Sequence, residues 1–289
     1  MVSAKPLTIE SLLGDISAVP SLPQLYTKLD ETINHPRSSI ADIAKVLSED
    51  QGLAARILKL ANSPLFGYFS RIDTITQAVT IIGIQQVRDL ALAISVMGIF
   101  KDVPEDLISM DRFWRHSIGC ALAARALAAS LRETNLERFF VAGILHDIGR
   151  LVLFMRLPEL CREIIDLASH DKRSMNEVER ERIGFDHADL GGALLRLWKL
   201  PSRVVEPVEY HHRCMKAAQF PRESAFLYCA DILIHALELG NNGEDELVPP
   251  LTPGAWEQLA IAPAQLSTIV SQIDQQFEEI TRTILSDVP

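Results

Sequence analysis

Aromatic residues are scarce in this chain, 6% of its 289 residues, and that scarcity argues against a strand-rich sandwich, whose pleated faces draw on Tyr, Trp and Phe. Ala, Leu and Ile runs dominate instead, so the expected fold class is all-α, a multi-helix bundle. No apolar run reaches the ~18 residues of a membrane-crossing helix, and the first residues, MVSAKPLTIESLLGD, hold no apolar signal segment. The protein is therefore expected to be cytoplasmic, with no membrane partner. Basic residues are outnumbered, 28 Lys and Arg against 38 Asp and Glu, for a net charge of -10. That balance opposes a sequence-independent hold on phosphate backbones, so no nucleic-acid partner is expected. The four cysteines, Cys120, Cys161, Cys214 and Cys229, form no CxxC pair and read as buried thiols. There is no internal repeat and no low-complexity tract.

What the chain does have is apolar material, 48% of its residues, enough for a substantial core. A short helix is predicted over residues 9 to 16, then Pro20 and Pro23 bracket the start of an amphipathic helix through Asn34. Ser39 and Asp42 have capping-box spacing, and Asp50 is placed to cap the helix after it. Thr74 opens a helix that Gly83 ends, and residues 84 to 100 continue in a strongly apolar helix. A lobe boundary is placed near residue 107, giving a helical lobe over 1–107, a core over 108–240 and closing helices over 241–289. Within the core, helices are expected over 112–131, 136–154 and 158–170. The charged stretch 170–182 reads as a solvated connection with a short helix. Further helices run from His187 through Trp198, from Pro201 to His211-His212, and over 223–239.

The two helices joined by Ser48-Glu49-Asp50 have the outline of a helix-turn-helix. A recognition helix there would offer Gln51, Arg56 and Lys59 to a groove, but Glu49 and Asp50 stand at its N-terminus, where phosphate would approach. A pair of packed scaffold helices is the preferred reading, and a DNA-binding module ranks last.

Chemistry concentrates in His146-Asp147, which follows an apolar run and precedes Gly149. Imidazole and carboxylate side by side supply a nitrogen and an oxygen ligand to one divalent metal. A second copy, His170-Asp171, lies in a polar stretch and serves as an internal control. His146-Asp147 differs by its company, since His116, His187, His211, His212 and Asp231 also sit among apolar helices. An aspartate between Ala230 and Ile232 needs a partner if buried, and a metal would supply one. Asp147 can bridge two cations with its two oxygens, and neighbours on a helix diverge by about 100°, so His211 and His212 could reach different ions. His235, one turn beyond Asp231, is a candidate supporting partner.

Residues from about 20 to 235 resemble an HDOD domain, a relative of the HD phosphohydrolases. The phrases that carry the resemblance are Leu22-Pro23 with Leu25, the run from Glu49 to Leu53 leading into Arg56 through Ser63, and Ile75 through Val79 followed by Ile82-Gly83. It implies an all-helical bundle used in bacterial signalling and regulation, many members having lost their metal ligands. This chain departs from that degenerate pattern. His116, His146, Asp147, His187, His211, His212 and Asp231 resemble, position by position, the ligands of the related HD-GYP phosphodiesterases, which hold two or more metal ions. The likeness stops short of the substrate. No Gly-Tyr-Pro follows His212, the interval to Asp231 is short, Arg112 stands where a further acidic ligand would, and Ile234 replaces a phosphate-binding lysine. Arg150, Lys199, Arg203 and Arg213 are the cations that could replace it, Arg150 first because it follows the signature turn.

The expected function is an HDOD-type signalling or regulatory module with two divalent transition metals, Fe, Mn, Ni or Zn, in an HD-like core. The alternative is a metal-dependent phosphohydrolase or phosphodiesterase acting on a nucleotide or cyclic dinucleotide, with Asp147 and Arg150 as candidate catalytic residues. A signalling protein or a phosphate-containing small molecule is the expected partner.

Overall fold

In the computed structural model, residues 7–14, 20–100, 102–241, 243 and 248–286 are described, and among them every regular element is a helix. The chain begins with α1 (Ile9–Leu13), α2 (Gln24–Asn34), α3 (Ile40–Leu47), α4 (Gln51–Ala61), α5 (Ile75–Ile82) and α6 (Ile84–Met97). The part of the first predicted helix beyond Gly14 lies outside the described residues. Local signals set several boundaries as expected. Ser39 and Asp42 form a reciprocal capping box at α3, Asp50 accepts from the Leu53 N–H at α4, and Thr74 pairs with Gln77 at α5. No single helix among the described residues is long and apolar enough to cross a membrane.

The core is laid around α7 (Met110–Ser130), buried almost all round from Phe113 to Ala128, as a helix at the centre of a bundle must be. Against it pack α8 (Glu137–Leu145), α14 (Pro221–Ala236) and α16 (Pro263–Leu285). A second layer contains α9 (Ile148–Arg156), α10 (Pro158–Asp171), α11 (Met175–Ile183), α12 (His187–Leu197) and α13 (Ser202–Glu209), while α15 (Pro253–Leu259) lies on α14.

One continuous helix was expected over 136–154, and the structure divides it. The chain breaks at His146-Asp147, where Asp147 takes φ -96° and ψ 8° and its carbonyl accepts from the Arg150 N–H at 2.8 Å. The break turns α9 toward α12, and Gly149 is what lets them meet. A Cβ at Gly149 would collide with the His187 carbonyl oxygen.

The closing helices do more than close the core. α16 lies along α7 and also touches α4, and α6 packs on α8, so the early helices are in direct contact with the later ones. Its apolar face buries Ile269, Ile273, Phe277, Ile280 and Ile284, and the Arg115 guanidinium lies 4.9 Å from the Phe277 ring centroid. Truncation of Phe277, 3% exposed, should therefore cost about 3–5 kcal/mol. Urea unfolding of Phe277→Ala checks this, and a loss under about 1 kcal/mol would show that α16 is dispensable packing.

Candidate metal centre

The side chains predicted from sequence come from distant stretches, and the bundle brings them into two adjoining groups. His116, Cys120, His146 and Asp231 form the first; Asp147, His187, His211 and His212 form the second. Within each group one donor atom per residue lies within 4.8 Å of the others. α7 supplies His116, α14 supplies Asp231, and the α8–α9 break supplies His146 and Asp147. α12 begins with His187, and the turn after α13 carries His211 and His212.

Asp147 stands between the groups. Its Oδ2 lies 3.2 Å from His146 Nε2, and its Oδ1 lies 3.0 Å from His187 Nε2 and 3.6 Å from His211 Nε2. It occupies the N-cap position of α9 yet makes no capping hydrogen bond there, so helix capping does not account for it. Asp231 lies inside α14, with Oδ1 3.1 Å from His116 Nε2 and 3.7 Å from His146 Nε2. His235 stands behind it, its Nε2 3.5 Å from the same oxygen.

Three imidazoles are oriented by the same device. His146 Nδ1 is 2.7 Å from the Gly143 carbonyl oxygen, His211 Nδ1 is 2.7 Å from that of Val208, and His187 Nδ1 is 2.6 Å from Glu179 Oε2. With Nδ1–H donated to these acceptors, each ring presents Nε2 to the groups, the arrangement that metal-binding histidines adopt. His146 Nε2 and His211 Nε2 are buried without a hydrogen-bond partner among the described residues. Buried nitrogens aimed at carboxylates, each ring held from behind, fit the demands of a divalent metal.

Burial drives the Asp147 carboxyl upward, and Arg150, His146 and His187 outweigh it, holding it well below the usual carboxylate range. Burial likewise opposes ionisation of Asp231, and His235, His116 and His146 overcome it. For His187, burial and Arg150 favour the neutral ring, but Glu179 and Asp147 prevail and raise it to about 10. Burial, with His211 and His187, drives His212 well below its ordinary value.

Several sequence expectations need correction. His211 and His212 lie past the end of α13 in a turn, so they do not diverge along a helix; their ring centroids are 3.9 Å apart and both join the second group. Glu179 belongs to a stretch read as solvated, yet it is 1% exposed and receives both the backbone N–H and the ring of His187. Its signal was faint: Met175, Val178 and Glu179 share one helical face, and the first two are apolar. Cys120 is buried, as read from the sequence, and it faces His116 and Asp231, a neighbourhood its spacing of one helical turn from His116 could have suggested.

Arg150, expected as a ligand-gripping cation, is turned inward and 0% exposed, with its Nη2 3.1 Å from His187 Nε2 and 3.8 Å from Asp147 Oδ1. The other cations lie elsewhere. Arg213 pairs with Asp189, Arg203 lies over Phe220, and Lys199 is exposed. The control pair His170-Asp171 is exposed, with His170 Nδ1 2.8 Å from Asp171 Oδ1.

Residues 19–214 match the HDOD domain family. The chain is similar to an HDOD domain protein of unknown function from Geobacter sulfurreducens, with 25% identity, a TM-score of 0.73, and 96% of this chain and 97% of that one covered. It is similar to a candidate phosphohydrolase from Shewanella amazonensis SB2B, with 25% identity, a TM-score of 0.75, and 95% and 98% covered. It also resembles an uncharacterised protein from Treponema pallidum (strain Nichols), 23% identical over 210 residues; the match covers 72% of this chain but only 40% of that relative.

The charge pattern predicts how stability changes with pH when metal is removed. His187 has a raised pKa in the folded state, so its contribution is complete below its unfolded value of about 6.5 and is lost as pH rises toward about 10. Chelator-treated protein should therefore melt at progressively lower temperature from pH 7 to 10. Metal requires the neutral ring, so the stabilisation by added Zn(II) should grow over the same interval. Thermal unfolding with and without metal measures both slopes, and a chelated protein that gains stability across this range would contradict the assignment.

Proposed function

The chain belongs to the HDOD domain family, and from that premise we propose that it is a cytoplasmic signalling or regulatory module whose HD-like core holds two divalent transition metals. The observation that carries the reading is the trio of buried imidazoles, His146, His187 and His211, each held at Nδ1 and presenting Nε2 to Asp147 or Asp231. Two ionised carboxylates are costly to hold in an apolar core, and two cations would add to the charges that offset them. His116, His146 and Asp231 would hold one ion; His187, His211 and His212 would hold the other; Asp147 would reach both. A histidine-rich set of this kind suits Fe, Mn, Ni or Zn better than Mg.

Access favours a regulatory module over an enzyme. His146, Asp147, His187 and His211 are each 0% exposed, and only His212 among the proposed ligands reaches half-buried positions. The loop after α14 closes over α7: Gly240 takes φ 83°, the Asn241 N–H donates to the Arg112 carbonyl, and a Cβ at Gly240 would strike the His116 backbone. Arg150 fills the approach to His187 with a fixed positive charge, so a substrate phosphate finds neither an open face nor a free cation there. The partner of such a module is a signalling protein or a phosphate-containing small molecule.

The second reading, a metal-dependent phosphohydrolase or phosphodiesterase on a nucleotide or cyclic dinucleotide, is favoured by the likeness to the Shewanella protein and by Asp147 standing between two groups. Bound metals would polarise a phosphoryl oxygen and lower the pKa of attacking water. The chain's own part would be to hold the ligands rigid and keep Asp147 ionised.

Elemental analysis of protein purified without chelator tests the centre. About two transition-metal ions per chain are expected, Asp147→Ala should abolish the pair, and His170→Ala should leave it intact. Protein that is metal-free and takes up none on titration refutes the centre. A screen of nucleotides, cyclic dinucleotides and simple phosphoesters against the loaded protein then separates the readings: weak or absent turnover supports the module, and ordinary enzyme rates, above about 1 per second, overturn it.

Arg150 adds an internal check on the two seats. Its guanidinium repels a cation in the second group, so titration of metal-free protein should fill the seats in two steps, the first group tighter. Arg150→Gln should bring the steps together, and equal affinities in the unaltered chain would show that this charge moves aside at no cost.

A further inference from the structure

One nucleophilic side chain in the centre has no part in the family-like ligand pattern. Cys120 lies one turn after His116 on α7, fully buried among Ala121, Ala123 and Ala124, in a stretch where alanine is the prevailing residue. Its Sγ is 3.5 Å from His116 Nε2 and 3.8 Å from Asp231 Oδ1.

We propose that Cys120 is a direct thiolate ligand of the ion in the first group, so that this seat is built of one sulfur, two imidazole nitrogens and the Asp231 carboxylate oxygen, the thiolate taking the place there that a bridging Asp147 oxygen would otherwise fill. The inference rests on the metal reading above and adds the ligand that sets which metal the first seat prefers.

Geometry supports it. Zinc lies about 2.0–2.1 Å from nitrogen or oxygen and about 2.3 Å from sulfur, and tetrahedral angles then place two N or O donors roughly 3.3 Å apart and a sulfur roughly 3.5 Å from either. The corresponding separations here are 3.1 Å for His116 to Asp231, 3.7 Å for His146 to Asp231, 3.5 Å for His116 to Cys120 and 3.8 Å for Cys120 to Asp231. The remaining two separations, from His146 to His116 and to Cys120, lie within 4.8 Å, so one ion can touch all four donors once His146 draws in toward it. His146 supplies a second, independent indication, because its Nε2 is buried in the same space without a hydrogen-bond partner. The alternative role for Cys120, a weak S–H donor to Asp231, uses only one of these contacts.

Binding would exchange a proton for a metal: the Cys120 S–H bond breaks, the proton leaves to solvent, and its electron pair forms the sulfur–metal bond. A thiolate makes the first seat softer than the all-His/Asp second seat, so it should select Zn(II), Co(II) or Fe(II) over Mn(II) and Mg(II).

Cobalt reports thiolate ligation directly. The full chain, freed of metal and titrated anaerobically with Co(II), should develop a near-ultraviolet thiolate-to-cobalt charge-transfer band with strong four-coordinate bands in the visible. Cys120→Ser should lose the charge-transfer band while still taking up cobalt, and Cys161→Ser should keep it. X-ray absorption of the unaltered, zinc-loaded chain should show one sulfur at about 2.3 Å, and this measurement decides the matter if Cys120→Ser fails to fold. Cobalt bound with only weak six-coordinate bands, a band that survives in Cys120→Ser, or a zinc shell of nitrogen and oxygen alone overturns the thiolate but leaves the metal centre standing. A chain that takes up neither ion overturns both.

Discussion

Two carboxylates held ionised inside an apolar bundle are the constraint around which this core is arranged. Asp147 and Asp231 are 0% and 3% exposed, and a charge at such a position is tolerated only when other charges and hydrogen bonds surround it. The surroundings come from almost every helix of the core. Because each compensating group belongs to a different element, the position of the carboxylates ties the packing of α7, α9, α12 and α14 together. Gly149 is part of the same requirement: without its close approach to His187, α9 could not bring Asp147 against α12.

Arg150 and Glu179 extend the constraint one shell outward. Glu179 is buried and anionic, its carboxyl resisted by burial but held below its ordinary value by His187 and Arg150. Arg150 thus faces Asp147 and Glu179 with His187 between them, a chain of alternating charge sealed from water. Removing one member of such a network leaves its neighbour uncompensated, commonly at about 3–5 kcal/mol, whereas the intact network can be nearly neutral for stability. The network is better understood as a device for fixing His187 than as a source of stability.

How much of this was legible in the sequence depended on the range of the interaction. Ser39 with Asp42 at one helix start, and Thr74 at another, act through contacts three residues long, and both starts were readable, although the Gln77 partner of Thr74 was not noticed. The family-like histidines and aspartates were readable as a set because their residue types are unusual in apolar helices. The break at His146-Asp147 was not, since its cause is the packing of α9 on a helix some forty residues away. Glu179 was hidden for the same reason, in a stretch whose average charge pointed to solvent. Arg150 was legible as important but not in direction: sequence spacing placed it beside the signature pair, and only packing decides that it turns inward. Cys120 is the intermediate case, with the right spacing from His116 and no unusual composition to draw notice.

The position of α7 gives the candidate centre a packing connection to α4 through α16. α7 carries His116 and Cys120 on one face and receives α16 on another, and α16 also lies against α4. A shift of α7 by a few tenths of an ångström, when donors draw in around an ion, would be felt by α16 through a closely packed apolar seam. Contact alone does not make a signal, because coupling requires an element with two discrete arrangements whose balance both sites bias. A second contact reaches α7 from the stretch just after α14, at Gly240 and Asn241. The backbone of that stretch is bonded to α7 through Asn241 and the Arg112 carbonyl, and it depends on a glycine in a left-handed conformation where any side chain would meet His116. A displacement of α7 would therefore be felt at two places, along α16 and at the end of α14, where Gly240 lies against the His116 backbone.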